Sequence, residues 1–176
     1  TSNIDYVFHL AALASVQKSV ENPSGSNDIN VNGTLNILET SRYNKVKRII
    51  FASSSAIYGN QKLPLFTEDM NPNPQSPYAL QKYTCETYCT LYSQLYGLET
   101  ISLRYFNIFG PKQSPESMYA PVIPAFIKAL ILEKKASIYG DGEQTRDFTY
   151  VSNVVNANML AMEKDKTNGE FMNIGC

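Results

Sequence analysis

Short apolar runs alternate with longer stretches of helical periodicity along this chain, and that alternation confines it to an α/β sheet. Tyr6-Val7-Phe8-His9-Leu10 is apolar enough to be a strand buried on both faces. Asn27 to Tyr43 places Ile29, Val31, Leu35 and Leu38 at roughly helical intervals, so a helix is expected there. Lys47 to Ser53 contains Arg48-Ile49-Ile50-Phe51-Ala52, a second buried strand. A proline-rich stretch with Pro64, Pro72, Pro74 and Pro77 reads as an irregular loop. The next helix has the clearest ends: Ser76 can cap it, Pro77 suits its first turn, and Gly97 can close it in a left-handed conformation. Thr100 to Tyr105 forms a third strand, Ile101, Leu103 and Tyr105 alternating with Thr100, Ser102 and Arg104. Beyond the Gly110-Pro111 loop, a helix is expected from Val122 to Leu132 and a short strand at Ser137-Ile138-Tyr139, leading into a Gly140-Asp141-Gly142 turn. A strand from Phe148 to Val151, a helix from about Asn153 to Glu163 and a strand at Phe171-Met172-Asn173 complete the pattern.

Composition narrows the functional classes. At 176 residues the chain can bury a core without disulfide staples. Its 15 Lys and Arg are balanced by 16 Asp and Glu, and the absence of a basic stripe argues against nucleic acid as a partner. No apolar run approaches the ~18 residues of a spanning helix, so no membrane is expected. Three cysteines make no disulfide framework and suit a reducing compartment. Thr1 to Asp5 lacks the basic and apolar regions of a signal peptide, and a cytoplasmic location is expected.

Tyr78-Ala79-Leu80-Gln81-Lys82 opens the capped helix, and its i,i+4 spacing sets a phenol and an ammonium on one face. A free tyrosine titrates near 10, so a tyrosine base at neutral pH must gain about 4 kcal/mol of preference for its anion. A nearby lysine and the positive end of the helix both push that way. By itself the spacing is common, a packed ring beside a solvated lysine. The run Ser53-Ser54-Ser55 sharpens it, because these hydroxyls follow a buried strand, at the end where α/β sheets form their ligand crevice. Cys85 and Cys89, i,i+4 on the same helix, offer two metal ligands without a third, so packed thiols and no metal are expected. Tyr88, Tyr92 and Tyr96 step along this helix as a packing stripe.

With these motifs in order, the chain resembles the extended short-chain dehydrogenase/reductases, and within them the nucleotide-sugar epimerases and dehydratases. The resemblance runs through Phe8 to Ala12, Asn30-Val31-Asn32-Gly33-Thr34, Ser53 to Gly59, Ser76 to Lys82, Leu103 to Asn107, Val122-Ile123-Pro124 and Tyr139 through Phe148. It implies part of a Rossmann-like doubly wound parallel sheet with the start of a smaller substrate-binding lobe. Residues 1–110 would carry the later NAD-binding strands and the catalytic groups, and 111–176 a partial nucleotide-sugar region interleaved with the sheet. It implies NAD as cofactor and a UDP-sugar as substrate. Tyr78 would be the base, Lys82 would bind the nicotinamide ribose and lower the Tyr78 pKa, and Ser54 would hold the sugar 4-oxygen. Ala11, Ala12, Asn30, Ala52 and Ser53 would line the dinucleotide, with Tyr105 and Phe106 near the nicotinamide. Ser55, Asn107, Val122, Tyr139 and Arg146 would serve the substrate, Arg146 by bidentate contact with the diphosphate. It also implies a homodimer built on the Asn27–Tyr43 and Tyr78–Tyr96 helices, with the tyrosine stripe facing the partner.

Similar 4,6-dehydratases carry an Asp-Glu pair just before the position of Tyr58, and related decarboxylating enzymes keep a Glu there. This chain has Ser55 and Ala56. Elimination therefore lacks its acid and base, and C4 epimerisation of a UDP-hexose or UDP-N-acetylhexosamine is favoured over a dehydratase or reductase. Val151-Ser152-Asn153-Val154 departs from the usual Asp, but both Ser152 and Asn153 can cap a helix. The family's Gly-rich turn is not found in this sequence, which starts where the fourth strand of the fold is expected. That predicts a central piece of an epimerase, inactive by itself if it cannot hold the pyrophosphate.

Overall fold

Strand β2 (Arg48–Ser54) is apolar at its centre and buried along almost its whole length, because helices cover both faces of the sheet around it. The computed structural model describes residues 3–61, 65–115, 121–138 and 140–175. Strands β1 (Tyr6–His9), β3 (Glu99–Tyr105) and β6 (Glu170–Ile174) join β2 in one parallel sheet of order β1-β2-β3-β6. Strands β4 (Asn107–Phe109) and β5 (Phe148–Tyr150) form a separate parallel pair. The helices are α1 (Val16–Glu21), α2 (Pro23–Asn27), α3 (Gly33–Tyr43), α4 (Pro77–Tyr96), α5 (Val122–Ile131) and α6 (Val151–Glu163).

Alternation along the strands divides the core. Ile49 and Phe51 pack with Leu38, Cys85, Cys89 and Tyr92 on the side of α3 and α4. Ile50 turns to the other side and meets Ile101, Leu103 and Ala161 beneath α6. Helix α4 is long because its ends are specified. The Ser76 hydroxyl accepts from Ala79 N at 3.2 Å, Pro77 occupies the first turn, and Gly97 closes the helix at φ 68°.

Several expectations change in the structure. Both sides of the alternation in β3 are covered: Thr100, Ser102 and Arg104 are as buried as Ile101 and Leu103, because α4 packs on the polar side. Phe8 is 39% exposed rather than buried on both faces, since β1 is the outer strand of this sheet. The helix expected from Asn27 starts at Pro23 and passes through a π-helical segment at Asp28–Asn32. Ser137 and Ile138 are irregular instead of a strand, while Tyr139 and Pro64 lie outside the described residues. Within the tyrosine stripe, Tyr92 is buried and donates to Glu39 on α3 at 2.6 Å, while Tyr96 stays half exposed beneath Arg42 of the same helix.

Arg48 ties the sheet to the end of α6. Its guanidinium is fully buried, bonds Glu99 through Nε at 2.8 Å, and donates through Nη1 to the carbonyls of Ala161 and Met162 at 2.9 and 2.7 Å. These carbonyls have no partner within their own helix, so the arginine acts as a cap from a distant strand. Arg48→Met strands them with Glu99 and is expected to cost about 3 kcal/mol, measured as a shift in the urea midpoint; a shift worth under about 1 kcal/mol would mean that water replaces the guanidinium.

Candidate active site at the carboxyl end of the sheet

Strand β2 ends at Ser54, and a 3-10 turn (Ser55–Tyr58) follows directly. The Ser54 hydroxyl starts that turn by accepting from Ala56 N at 3.2 Å. Gly59 closes it at φ 60°, where a Cβ would lie 1.9 Å from the Asn73 carbonyl oxygen, so only glycine fits. The turn is thereby clamped to the loop that leads into α4.

The first turn of α4 is held from a second direction. Ser19 on α1 is completely buried; its hydroxyl accepts from Tyr78 N at 3.0 Å and donates to the Val16 carbonyl at 2.6 Å. One of the unpaired amides of the α4 start is satisfied in this way, and the backbone of Tyr78 is fixed. Sequence reading missed this contact, because α1 is a six-residue polar helix with no periodicity to reveal it.

Tyr78, Lys82 and Ser54 line one cleft of about 760 Å³. Burial pushes the pKa of the Tyr78 phenol above the ordinary value, and the Ser54 hydroxyl on the same cleft pulls it back. Lys82 is 4% exposed and donates to the Ala52 carbonyl at 2.7 Å, with its Nζ 4.9 Å from the Phe51 ring centroid and 5.9 Å from that of Tyr78. Loss of water lowers its pKa to about 8, while the neighbouring thiols Cys85 and Cys89 oppose the change. The phenol thus rests above its ordinary value rather than below it, because desolvation outweighs the pull of the Ser54 hydroxyl. His9, at the end of β1, is also held below its usual pKa, first by burial and then by Lys82, and its Nε2 contacts the Thr34 hydroxyl at 2.9 Å.

Ala12, Ala52, Tyr105 and Phe106 also line the cleft, and Tyr105 is steadied by Asn158 at 3.0 Å. Ser53 lies at its floor, with its hydroxyl donating to buried Glu86 at 2.8 Å. Ala11, Asn30 and Ser55 are not among the lining residues. Asn30 sits behind the wall: its Oδ1 accepts from Leu13 N at 2.8 Å and its Nδ2 donates to Gln81 at 2.8 Å, pinning the segment that presents Leu10, Ala12 and Ala14. The π-helical turn around Asn30 widens the helix there, a distortion found often beside functional sites.

A second cleft of about 610 Å³ is contiguous with the first through Asn107, Ile108 and Pro121, and gathers Asn107, Val122 and Arg146. The Asn107 side chain donates to the Asp147 carbonyl at 2.9 Å, strapping the segment of exposed Arg146 to β4. Tyr139 is outside the described residues. Cys85 and Cys89 lie in the core with thiol pKa values raised by burial, and no group of three metal-ligating side chains occurs among the described residues.

The residues present fit the nicotinamide-ribose end of NAD. Lys82 is a buried cation whose only hydrogen-bond partner among the described residues is one carbonyl, which leaves N–H donors for ribose hydroxyls. Phe8, Leu10, Ala12 and Ala14 provide an apolar wall on the same cleft. The unfolded-chain pKa of Lys82 near 10.5 exceeds its folded value near 8, so below about 8 the fold carries the full penalty. Between the two values the unfolded chain binds more protons and stability rises with pH. Lys82→Met is expected to gain up to about 3 kcal/mol near neutral pH, a gain that disappears above the unfolded pKa. Urea titrations of both proteins across this range check it.

The sequence matches the family described as NAD dependent epimerase/dehydratase over residues 1–175. A solved UDP-N-acetylglucosamine 4-epimerase from Methanobrevibacter ruminantium, in complex with UDP-N-acetylmuramic acid, is 47% identical with a TM-score of 0.94, over 99% of this chain and 56% of that one. The UDP-glucose 4-epimerase of Thermotoga maritima with UDP-glucose is 44% identical, TM-score 0.92, over 97% of this chain and 55% of that one. A UDP-N-acetyl-alpha-D-glucosaminuronate decarboxylase of Bacillus cytotoxicus is 43% identical over 177 residues, 97% of this chain and 54% of the relative. The chain therefore spans about half the length of the relatives it matches.

Proposed function

The chain belongs to the NAD-dependent epimerase/dehydratase family, and on that premise we propose that it carries the hydride-transfer site of a UDP-sugar 4-epimerase. The convergence of Ser54, Tyr78 and Lys82 on one cleft carries this reading. Tyr78 Oη takes the proton of the sugar 4-hydroxyl, and the Ser54 hydroxyl holds the same oxygen as the alcohol becomes a ketone. Lys82 holds the nicotinamide ribose and keeps a positive charge beside the phenol. NAD, when bound, supplies a hydride acceptor that can also return the hydride. After the 4-keto sugar has turned over, the Tyr78 proton goes back to the oxygen and the other epimer results.

Ala12, Ala52, Ser53, Tyr105 and Phe106 line the cofactor side, with Ala11 and Asn30 supporting it. Asn107, Val122 and Arg146 in the adjoining cleft, together with Ser55 and Tyr139, are assigned to the UDP-sugar. Residues 1–110 form the later part of the dinucleotide-binding region and 111–176 part of the nucleotide-sugar region, with α6 and β6 returning to the main sheet. The relatives that bind or convert UDP-glucose and UDP-N-acetylglucosamine support either sugar as substrate.

The relative that is a decarboxylase gives weight to a second chemistry on this scaffold. No carboxyl group occurs among the described residues that line the Tyr78 cleft, and the positions before Ile57 are Ser55 and Ala56. That favours epimerisation, which needs no acid-base pair beyond Tyr78. A homodimer would use the exposed leucines of α4, Leu80, Leu91 and Leu95, together with exposed Tyr43 at the end of α3. No described helix is long and apolar enough to cross a membrane, and a cytoplasmic enzyme is the reading we adopt.

With NAD and UDP-glucose or UDP-N-acetylglucosamine, the longer protein containing this chain is expected to form the C4 epimer. Tyr78→Phe is expected to lower kcat at least about a hundredfold. Accumulation of a 4-keto or decarboxylated product, or unchanged turnover in Tyr78→Phe, would contradict the proposal.

A further inference from the structure

Tyr78, Lys82 and Glu86 follow one another at four-residue steps, so three successive turns of α4 present a phenol, an ammonium and a carboxylate on one face. All three face the last residues of β2: Tyr78 lines one cleft with Ser54, Lys82 donates to the Ala52 carbonyl and Glu86 accepts from the Ser53 hydroxyl. Glu86 is 2% exposed and does not line the Tyr78 cleft. Its carboxylate is gripped at both oxygens by Arg104 of β3, with Nε at 3.1 Å from Oε2 and Nη2 at 2.5 Å from Oε1. The remaining arm of Arg104 donates to the Tyr58 hydroxyl at 2.6 Å, and Tyr58 donates to Asn173 on β6 at 2.7 Å. Phe171 stacks on the guanidinium at 3.8 Å.

This network crosses three strands and reaches both ends of the segment that holds Ser54. Ser53 precedes it and Tyr58 closes the turn that follows it. A buried ion pair is weak evidence for stability, because desolving two charges offsets much of their attraction. Its placement around a single serine calls for another role. We propose that Glu86 and Arg104 are positioning residues: the pair holds Ser53 and Tyr58 so that the Ser54 hydroxyl stays beside Tyr78 in the cleft they share. The proposal rests on the reading of Tyr78 and Ser54 as the hydride-transfer pair. A displacement of about 1 Å at such a contact is enough for a large loss of rate.

Ser53→Ala tests this gently, because it removes one hydroxyl and leaves the ion pair intact. The Tyr78 phenol is titrated in the chain alone by phenolate absorbance, as the difference from the matching Tyr78→Phe protein. Lys82 on α4 and His9 on β1, the charged and titratable neighbours of the site, are the same in every variant. The midpoint is expected to rise by about one pH unit in Ser53→Ala and to return in Ser53→Thr, which restores the hydroxyl. Glu86→Met with Arg104→Met removes both charges together, a replacement that buried pairs tolerate, and is expected to raise the midpoint equally. In the longer protein with NAD and UDP-glucose or UDP-N-acetylglucosamine, kcat of Ser53→Ala should fall about tenfold, with KM for the sugar within about twofold. A folded Ser53→Ala or double variant whose phenol midpoint stays at the native value overturns the proposal. A midpoint that moves in a protein without epimerase activity supports the positioning role and refutes the function proposed above.

Discussion

Helix α4 meets the carboxyl end of β2 through side chains one turn apart, Lys82 on the Ala52 carbonyl and Glu86 on the Ser53 hydroxyl. Those two contacts set the height of the helix against the strand, and Tyr78 opposite Ser54 follows from that height. Other features of the fold serve the same registration. Ser19 fixes the amide of Tyr78, Gly59 lets the turn after Ser54 press against Asn73, and Arg104 holds Glu86 from the neighbouring strand. The parallel sheet makes this possible, because β2 and β3 run in register with their carboxyl ends side by side.

The same arrangement has a thermodynamic cost. Lys82 loses water on burial, and its ammonium rests on one carbonyl and two aromatic faces instead of a carboxylate. A chain selected for stability alone would place an apolar residue there. A poorly paired cation in a largely apolar cleft is what a site for a polar, hydroxyl-bearing ligand requires. The phenol beside it is raised by burial and lowered by the Ser54 hydroxyl, so small shifts of Ser54 alter its proton affinity.

Local sequence chemistry revealed the frame of the site. Ser76, Pro77 and Gly97 mark the ends of α4, and the serine run after an apolar strand marks the crevice, because caps and strand ends are properties of neighbouring residues. The resemblance to a known family then supplied roles that spacing by itself could not. What remained hidden depends on contacts between distant segments. Arg48 and Arg104 look like ordinary strand charges until Glu99, α6 and Glu86 enclose them. Asn30, expected on the cofactor wall, holds Leu13 and Gln81 behind it, and the polar side of β3 is buried beneath α4. Periodicity reports which residues share a face; it does not report what packs there.

If hydride leaves C4 and returns to it within one closed site, the hydrogen at C4 never mixes with solvent. The most direct measurement is therefore the fate of deuterium placed at C4 of UDP-glucose or UDP-N-acetylglucosamine, turned over in ordinary water by the longer protein with NAD. The account predicts that the epimer formed keeps its deuterium at C4. Loss of the label to solvent, or epimerisation with cleavage at a different bond, would contradict a site in which Tyr78 moves the proton and the nicotinamide holds the hydride.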